Sequence, residues 1–305
     1  MLNMAYQRLI PRPSPAASYE AALELAARLM EGDGPEVDPR CRTALHDHGR
    51  RTPRSYVLIH GYTNCPQQFA ALARLLFAQG ANVLIPRMPA HGLLDRLTSA
   101  TGALTARDLA RFADAAVDCA CGLGEEVAVV GLSSGGVLAA WLAQGRADLA
   151  RALVISPAFG PGLVAPWLAP AAALALRLLP NRFAWWDDQL KERLATPPYG
   201  YPRFATRGLS AAYQLGAALR RAARRAAPAA RSIVVVTNAA DRAVSEPPIR
   251  SLLASWRARR AVVQTYTFPA ELGLPHDLID PHHIGPHQAE VYPLLLSLLE
   301  AEPAG

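Results

Sequence analysis

Three side chains set far apart in this chain have the types and order for acyl chemistry. Ser133 stands in Gly131-Leu132-Ser133-Ser134-Gly135, after the apolar run Val127-Ala-Val-Val130 and before a stretch carrying Val137, Leu138, Trp141 and Leu142. A buried strand, then Gly-x-Ser-x-Gly, then a helix puts the serine on a tight turn with its Oγ raised above the sheet edge. Gly131 and Gly135 leave room for strand and helix to close together. The N–H of Ser134 opens the helix and faces the same way, so it is placed to hold an oxyanion. Alone, the pentapeptide also describes an ordinary small-residue turn.

An acyl-cleaving serine needs a base, an acid to orient the base, and N–H donors for the tetrahedral intermediate. In an open parallel sheet all of these come from loops at the carboxyl ends of strands. Asp241 follows the run Ile233–Val236 across Thr237-Asn-Ala-Ala and is the candidate acid, with Glu246 and Asp277 as fallbacks. Its bland alternative is an exposed turn aspartate. Four histidines, His276, His282, His283 and His287, crowd the C-terminal region, and on composition any of them would serve as base. His276 is preferred because it comes first after the last strand and keeps the order Ser, Asp, His. A histidine run also suits a metal, but no matching carboxylate–histidine spacing accompanies it, and none is expected. The run His60-Gly61-Tyr62-Thr63 ends an earlier strand. Gly61 is expected to permit close backbone approach, and the N–H of Tyr62 to face that of Ser134. His60 and His91 read as structural loop histidines.

The elements that must position these groups follow a strand–helix rhythm. Ser18 caps a helix over 19–30, and 42–47 is a possible edge strand. Strands are expected at 55–60, 82–86, 127–131, 152–156, 232–236 and 261–268. Helices are expected from Pro66, over 105–121, after Ser133, over 248–259 and over 285–300. Such alternation predicts a doubly wound, mostly parallel sheet of the α/β class. The rhythm stops over 158–228, where apolar helical pieces, aromatics and prolines replace β-rich runs. The expected organisation is an N-terminal extension over 1–50, a core from 51–157 and 229–305, and a helical cap over 158–228. Leu163, Trp167, Leu168, Leu174, Leu178, Leu179, Trp185 and Trp186 supply apolar area there, and Tyr62, Trp167, Trp185 and Trp186 are candidate substrate-binding residues. For any single one of them, gluing cap to core is the simpler role.

A chain of 305 residues can bury a large core. Its net charge of +6 does not point to nucleic acid: Lys191 is the sole lysine, and the dense run Arg220-Arg221-Ala-Ala-Arg224-Arg225 has the spacing of a solvated helix face without interleaved stacking aromatics. Cys119 and Cys121 lie on an expected helix and read as small buried hydrophobes, and Cys65 carries no local nucleophile signature. The N-terminus shows no apolar leader-like run, so a reduced, cytoplasmic setting is the expectation. Residues 158–176 carry no charge, but Pro161, Pro166 and Pro170 argue for short kinked helices rather than a membrane span.

The elbow, the His-Gly loop and the Ser, Asp, His order together resemble the α/β-hydrolase superfamily. His60-Gly-Tyr-Thr-Asn64, Pro89-Ala-His-Gly92 and the helical insertion look most like bacterial carboxylesterases and monoacylglycerol lipases, over about residues 50–300. The resemblance implies Ser133 as nucleophile, His276 as base, Asp241 as its partner, Tyr62 and Ser134 as oxyanion donors, and no cofactor or metal. It implies a small-molecule ester substrate and an acyl-enzyme intermediate, and the apolar insertion over the serine favours an apolar acyl group. The chain departs from the pattern in lacking a bulky or charged residue after the serine, and in the reduced strands before the His-Gly strand. The same triad also serves thioesterases, peptidases, acyltransferases, perhydrolases and C–C hydrolases. A non-catalytic binder of lipophilic ligands is the rival from another class.

Overall fold

The computed structural model describes residues 9–160, 169–186 and 197–301. Helix α1 (Tyr19–Glu31) is capped by the Ser18 side chain, which accepts the Ala21 N–H. Then come β1 (Ala44–His46), β2 (Thr52–Ile59), α2 (Ala70–Ala78) and β3 (Asn82–Ile85). Helix α3 (Ala106–Leu123) opens with a reciprocal Thr105–Asp108 capping box. The chain continues through β4 (Gly124–Leu132), α4 (Ser134–Gly145), β5 (Leu149–Ile155) and α5 (Ala169–Leu178). After β6 (Phe183–Trp185) and β7 (Arg203–Ala205) come α6 (Thr206–Ala223), β8 (Ser232–Asn238) and α7 (Glu246–Arg257). Strand β9 (Val263–Phe268), the short α8 (Pro281–Ile284) and α9 (Gln288–Glu300) close the fold.

Seven strands form one sheet in the order β1-β3-β2-β4-β5-β8-β9, with β1 antiparallel and the remaining pairs parallel. Side chains alternate between its faces. Val57 and Ile59, Val127 and Val129, Ala152 and Val154, and Ile233 and Val235 share one core layer with α3, α4, α6 and α7. Their neighbours Leu58, Val130, Leu153 and Val234 face the other layer, under α2 and α9. Both faces are covered, which is why the strands read as continuous apolar runs. At about 25 cal/mol per Å², each fully buried Leu, Ile or Val in these layers contributes roughly 1.5–3 kcal/mol. Buried Arg146 ties α3 and α4 to the start of β5 through Asp118 (2.7 Å), Asp148 (2.6 Å) and Asp114 (3.2 Å).

The α/β sheet agrees with the sequence expectation, and several details differ. The 158–228 stretch holds a two-stranded antiparallel sheet, β6 with β7, which the sequence did not signal. Its last helix, α6, packs into the main core beside α4, through Leu215 and Leu219. Arg220 is therefore buried rather than solvated, while Arg224 and Arg225 are exposed. Cys41 and Cys65 are not reduced thiols: they form a disulfide with Cα atoms 5.2 Å apart. Cys119 and Cys121 lie on α3, and burial pushes both thiols up to about 12. Among the described residues no helix is long and apolar enough to cross a membrane. Part of the uncharged 158–176 stretch, with Leu163, Trp167 and Leu168, lies outside the described residues, as does the side chain of Leu174.

Candidate active site

The chain leaves β2 toward β3 on one side and later crosses back to start β4 on the other. The helices after β2 and β4 consequently pack on opposite faces of the sheet. Loops at such a switch point diverge and leave a crevice at the carboxyl ends of the strands. Ser133 sits there between β4 and α4, with φ +59 and ψ −114, a conformation rarely tolerated outside glycine. Its N–H is spent on the Ile155 carbonyl (2.9 Å), which ties the turn to β5.

Two glycines make this turn possible. A Cβ on Gly131 would lie 2.1 Å from the Gly135 carbonyl oxygen, and one on Gly135 would lie 2.0 Å from the Ile59 oxygen. Gly61, expected to be the point of close approach, is not: a Cβ there would meet only ordinary contacts at 3.6 Å. Backbone crowding falls between α4 and the end of β2.

His276 and Asp241 meet as their strand positions imply. His276 Nδ1 lies 2.6 Å from Asp241 Oδ2, the carboxylate being 2 % and the imidazole 27 % exposed. Burial pushes the Asp241 carboxyl up, but the hydrogen bond and charge of His276, aided by the Ala243 N–H, outweigh it and hold the group below its ordinary value. An ionised acceptor at Nδ1 fixes the tautomer that leaves the Nε2 lone pair free. Ser133 and His276 line one cavity of about 340 Å³. The N–H groups of Tyr62 and Ser134 have no acceptor among the described residues.

The other candidates separate cleanly. Glu246 is exposed in α7 and pairs with Arg250 at 2.7 Å. His287 pairs with Glu290 at 2.7 Å. His282 stacks edge-on against Tyr199. His60 is wholly buried: its Nε2 accepts the Met88 N–H (3.1 Å), so Nδ1 carries the proton toward the Gly61 carbonyl (2.9 Å), and burial drives it well below the usual imidazole range. His91 is buried against Tyr62 and Tyr201, and burial lowers it to about 4. Trp186 and Tyr62 line the cavity. Trp185 does not; it is held in β6 opposite Arg203. Trp167 lies outside the described residues.

Asp277 acts as a hub instead of an alternative acid. Its Oδ2 accepts from Gln68 Nε2 (2.7 Å), Asn64 Nδ2 (3.1 Å) and His283 Nδ1 (3.1 Å), and its Oδ1 accepts from the N–H of Asp280 (3.1 Å). Gln68 also takes the Gly61 N–H on Oε1 at 2.7 Å, so one amide braces the loop after β2 to the histidine loop. Asp277, Asp280 and His283 bring potential metal-ligand atoms within 4.8 Å of one another. Those oxygens are already taken: Asp280 accepts from the Tyr199 hydroxyl (2.7 Å) and the His282 N–H (3.0 Å). The cluster is thus a hydrogen-bonded brace. Gln68 and Tyr213 escaped sequence reasoning because nothing local marks them; Thr63 and Asn64 had only their place in the His-Gly motif.

The cavity lining is mixed. Asn64, Gln68, Asp277 and His283 contribute polar groups beside His276. Leu132, Ala158, Trp186, Leu209, Tyr213 and Val244 contribute the larger apolar share.

Comparison with known proteins places this architecture. A family model described as alpha/beta hydrolase family matches residues 56–290. No curated protein sequence matches the chain. Among solved structures, one described with two metagenome-derived lipolytic enzymes is similar at TM-score 0.62 and 17 % identity, covering 86 % of this chain and 98 % of that one. The monoacylglycerol lipase of Paleococcus ferrophilus is similar at 0.61 and 16 %, covering 84 % and 97 %. A soluble variant of monoglyceride lipase from Saccharomyces cerevisiae, in complex with a substrate analog, is similar at 0.62 and 14 %, covering 87 % and 92 %.

Proposed function

This chain belongs to the alpha/beta hydrolase family, and from that premise we propose that it is a serine hydrolase cleaving carboxylic esters of apolar acyl groups. The observation that carries the reading is His276 paired with buried Asp241 at 2.6 Å in the cavity that Ser133 enters from its strained turn. The lipolytic enzymes and monoacylglycerol lipases of similar fold accord with it.

In the proposed reaction Ser133 Oγ attacks the ester carbonyl carbon while His276 Nε2 takes its proton. The carbonyl electron pair moves onto oxygen, where the N–H groups of Tyr62 and Ser134 receive it; the latter also carries the positive end of α4. Each such donor is worth about 3 kcal/mol of barrier. The tetrahedral species collapses by breaking the bond to the alcohol oxygen, which leaves with the proton from His276. Water then repeats the sequence on the acyl-serine, releasing the acid and restoring Ser133. Asp241 remains ionised throughout and stabilises the imidazolium. The acyl chain lies against Trp186, Leu209, Tyr213 and Val244, and the alcohol beside Asn64 and His283. Residues 158–228 serve in this reading as the cap that sets acyl preference, and no metal or other cofactor takes part.

The test is a p-nitrophenyl ester series of rising chain length, set beside acyl-thioesters and amides, with a fluorophosphonate probe. The parent protein is expected to label at Ser133 and to prefer esters, and Ser133→Ala to lose both labelling and turnover while keeping its melting temperature. Wild-type turnover by Ser133→Ala would end the assignment.

A further inference from the structure

We propose that the insertion between β5 and β8 does more than wall the cavity: through Trp186 and Tyr201 it holds Thr63, and thereby positions the Tyr62 N–H for the oxyanion. The inference rests on the serine-hydrolase reading of the same site.

The loop after β2 is a tight turn in which the Asn64 N–H bonds the Gly61 carbonyl at 3.2 Å. Its third residue, Thr63, has φ +66. Glycine usually fills that place, and a β-branched residue there is strained by on the order of 1–3 kcal/mol. Such a residue persists only where its surroundings over-determine it, and here most of the surroundings belong to the insertion. The Tyr201 N–H donates to the Thr63 carbonyl (2.7 Å). The Trp186 Nε1–H donates to Thr63 Oγ1 (2.8 Å), which spends its own proton on the Tyr62 carbonyl (2.5 Å). The Tyr62 hydroxyl donates to the Ala205 carbonyl at the end of β7 (3.1 Å).

The relay from indole through hydroxyl to carbonyl therefore grips the peptide before Thr63, and the Tyr201 N–H grips the one after it. On the near side, His60 Nδ1 and the Asn64 N–H hold the Gly61 carbonyl, which is the other end of the peptide that carries the Tyr62 N–H. In a trans peptide, fixing the carbonyl aims the N–H the opposite way. Trp186 is kept at its post by its ring, 4.3 Å from that of Phe204. Trp186 is thus a positioning residue, acting on the transition state through Thr63.

A double-mutant cycle separates this role from that of a simple wall. Trp186→Phe keeps an aromatic ring at the position and removes the donor. Thr63→Gly accepts φ +66 without strain, so its turn needs no latch. The expectation is that Trp186→Phe lowers kcat about tenfold, the worth of one well-placed hydrogen bond, equally on p-nitrophenyl acetate and laurate, with KM within about twofold. In the T63G background the same substitution should cost less than about threefold. Equal losses in the two backgrounds would overturn the latch. So would an unchanged kcat with a raised KM confined to laurate, which is the behaviour of a wall. An active parent with either result refutes the latch alone, whereas a parent that turns over no ester refutes the hydrolase reading as well.

Discussion

The Cys41–Cys65 bridge gives the fold a thermodynamic signature that can be worked out beforehand. Its cysteines are 24 residues apart in sequence, and closing a loop of that length removes about 12 cal/mol/K of entropy from the unfolded chain, or about 3.5 kcal/mol at 25 °C. With roughly 2.1 cal/mol/K of unfolding entropy per residue, 305 residues give about 0.64 kcal/mol/K. Opening the bridge should therefore lower the melting temperature by about 5 °C. The perturbation that leaves every side chain in place is reduction: the same protein, air-oxidised or treated with reductant, is melted in a calorimeter. Denatured thiol titration supplies the chemical check. It should find two thiols in the oxidised protein, those of Cys119 and Cys121, and four after reduction. Four thiols in the oxidised sample, or two melting temperatures within 1 °C of each other, would refute the reasoning. Bonds of this kind persist in oxidising compartments, so the titration also bears on the reduced, cytoplasmic setting expected from the sequence.

Gly135→Ala should abolish turnover and cost about 1–3 kcal/mol of stability, because the added Cβ meets the Ile59 carbonyl at 2.0 Å and drives α4 and the Ser133 turn away from the end of β2; wild-type turnover with an unshifted urea midpoint would count against the elbow geometry. Asp277 supplies the pH test. Its burial opposes ionisation, yet His283 and Gln68 hold the carboxyl below its ordinary value, so it stabilises the fold above about pH 4 and that contribution is lost as the pH falls through the depressed folded value. Asp277→Asn should accordingly be less stable than the parent at neutral pH, with the gap closing in urea titrations as the pH falls below about 5 and on through the depressed folded value; a constant gap would refute the charge-based account.

The candidate site was legible where strand topology alone places its residues. Ser133, Asp241 and His276 each follow a β-rich run, and a parallel sheet sends the carboxyl ends of all such runs to one edge, so their placement at that edge follows from chain order alone. The strands were legible because covering both faces forces unbroken apolar runs such as Ile233–Val236. Strands β6 and β7 are three residues each and pair across residues 186–202, too short for a period of two to register. Trp185 and Trp186 are neighbours of the same type, and only their placement in and just beyond β6 divides them, one held in the hairpin and the other in the cavity.

Hydrogen-bond partners were the least legible part, and the reason is physical. A hydrophobic pattern encodes a face, since any apolar group on that face gains by burial. A hydrogen bond is directional and needs one atom opposite another to within a few tenths of an ångström. Gln68 reaches Asp277 across 209 residues of chain, and Trp186 reaches Thr63 across 123, with nothing in either local sequence to announce the pairing. Yet in the proposed reading these bonds are what hold the loop that carries the Tyr62 N–H. Gly61 is gripped by Gln68 at its N–H and by His60 and Asn64 at its carbonyl, Thr63 by Trp186 at its hydroxyl and Tyr201 at its carbonyl, and the Tyr62 hydroxyl by the Ala205 carbonyl. Chain order thus brings the candidate nucleophile and base to one edge of the sheet, while the hold on the Gly61 and Thr63 carbonyls comes from partners that no local pattern announces.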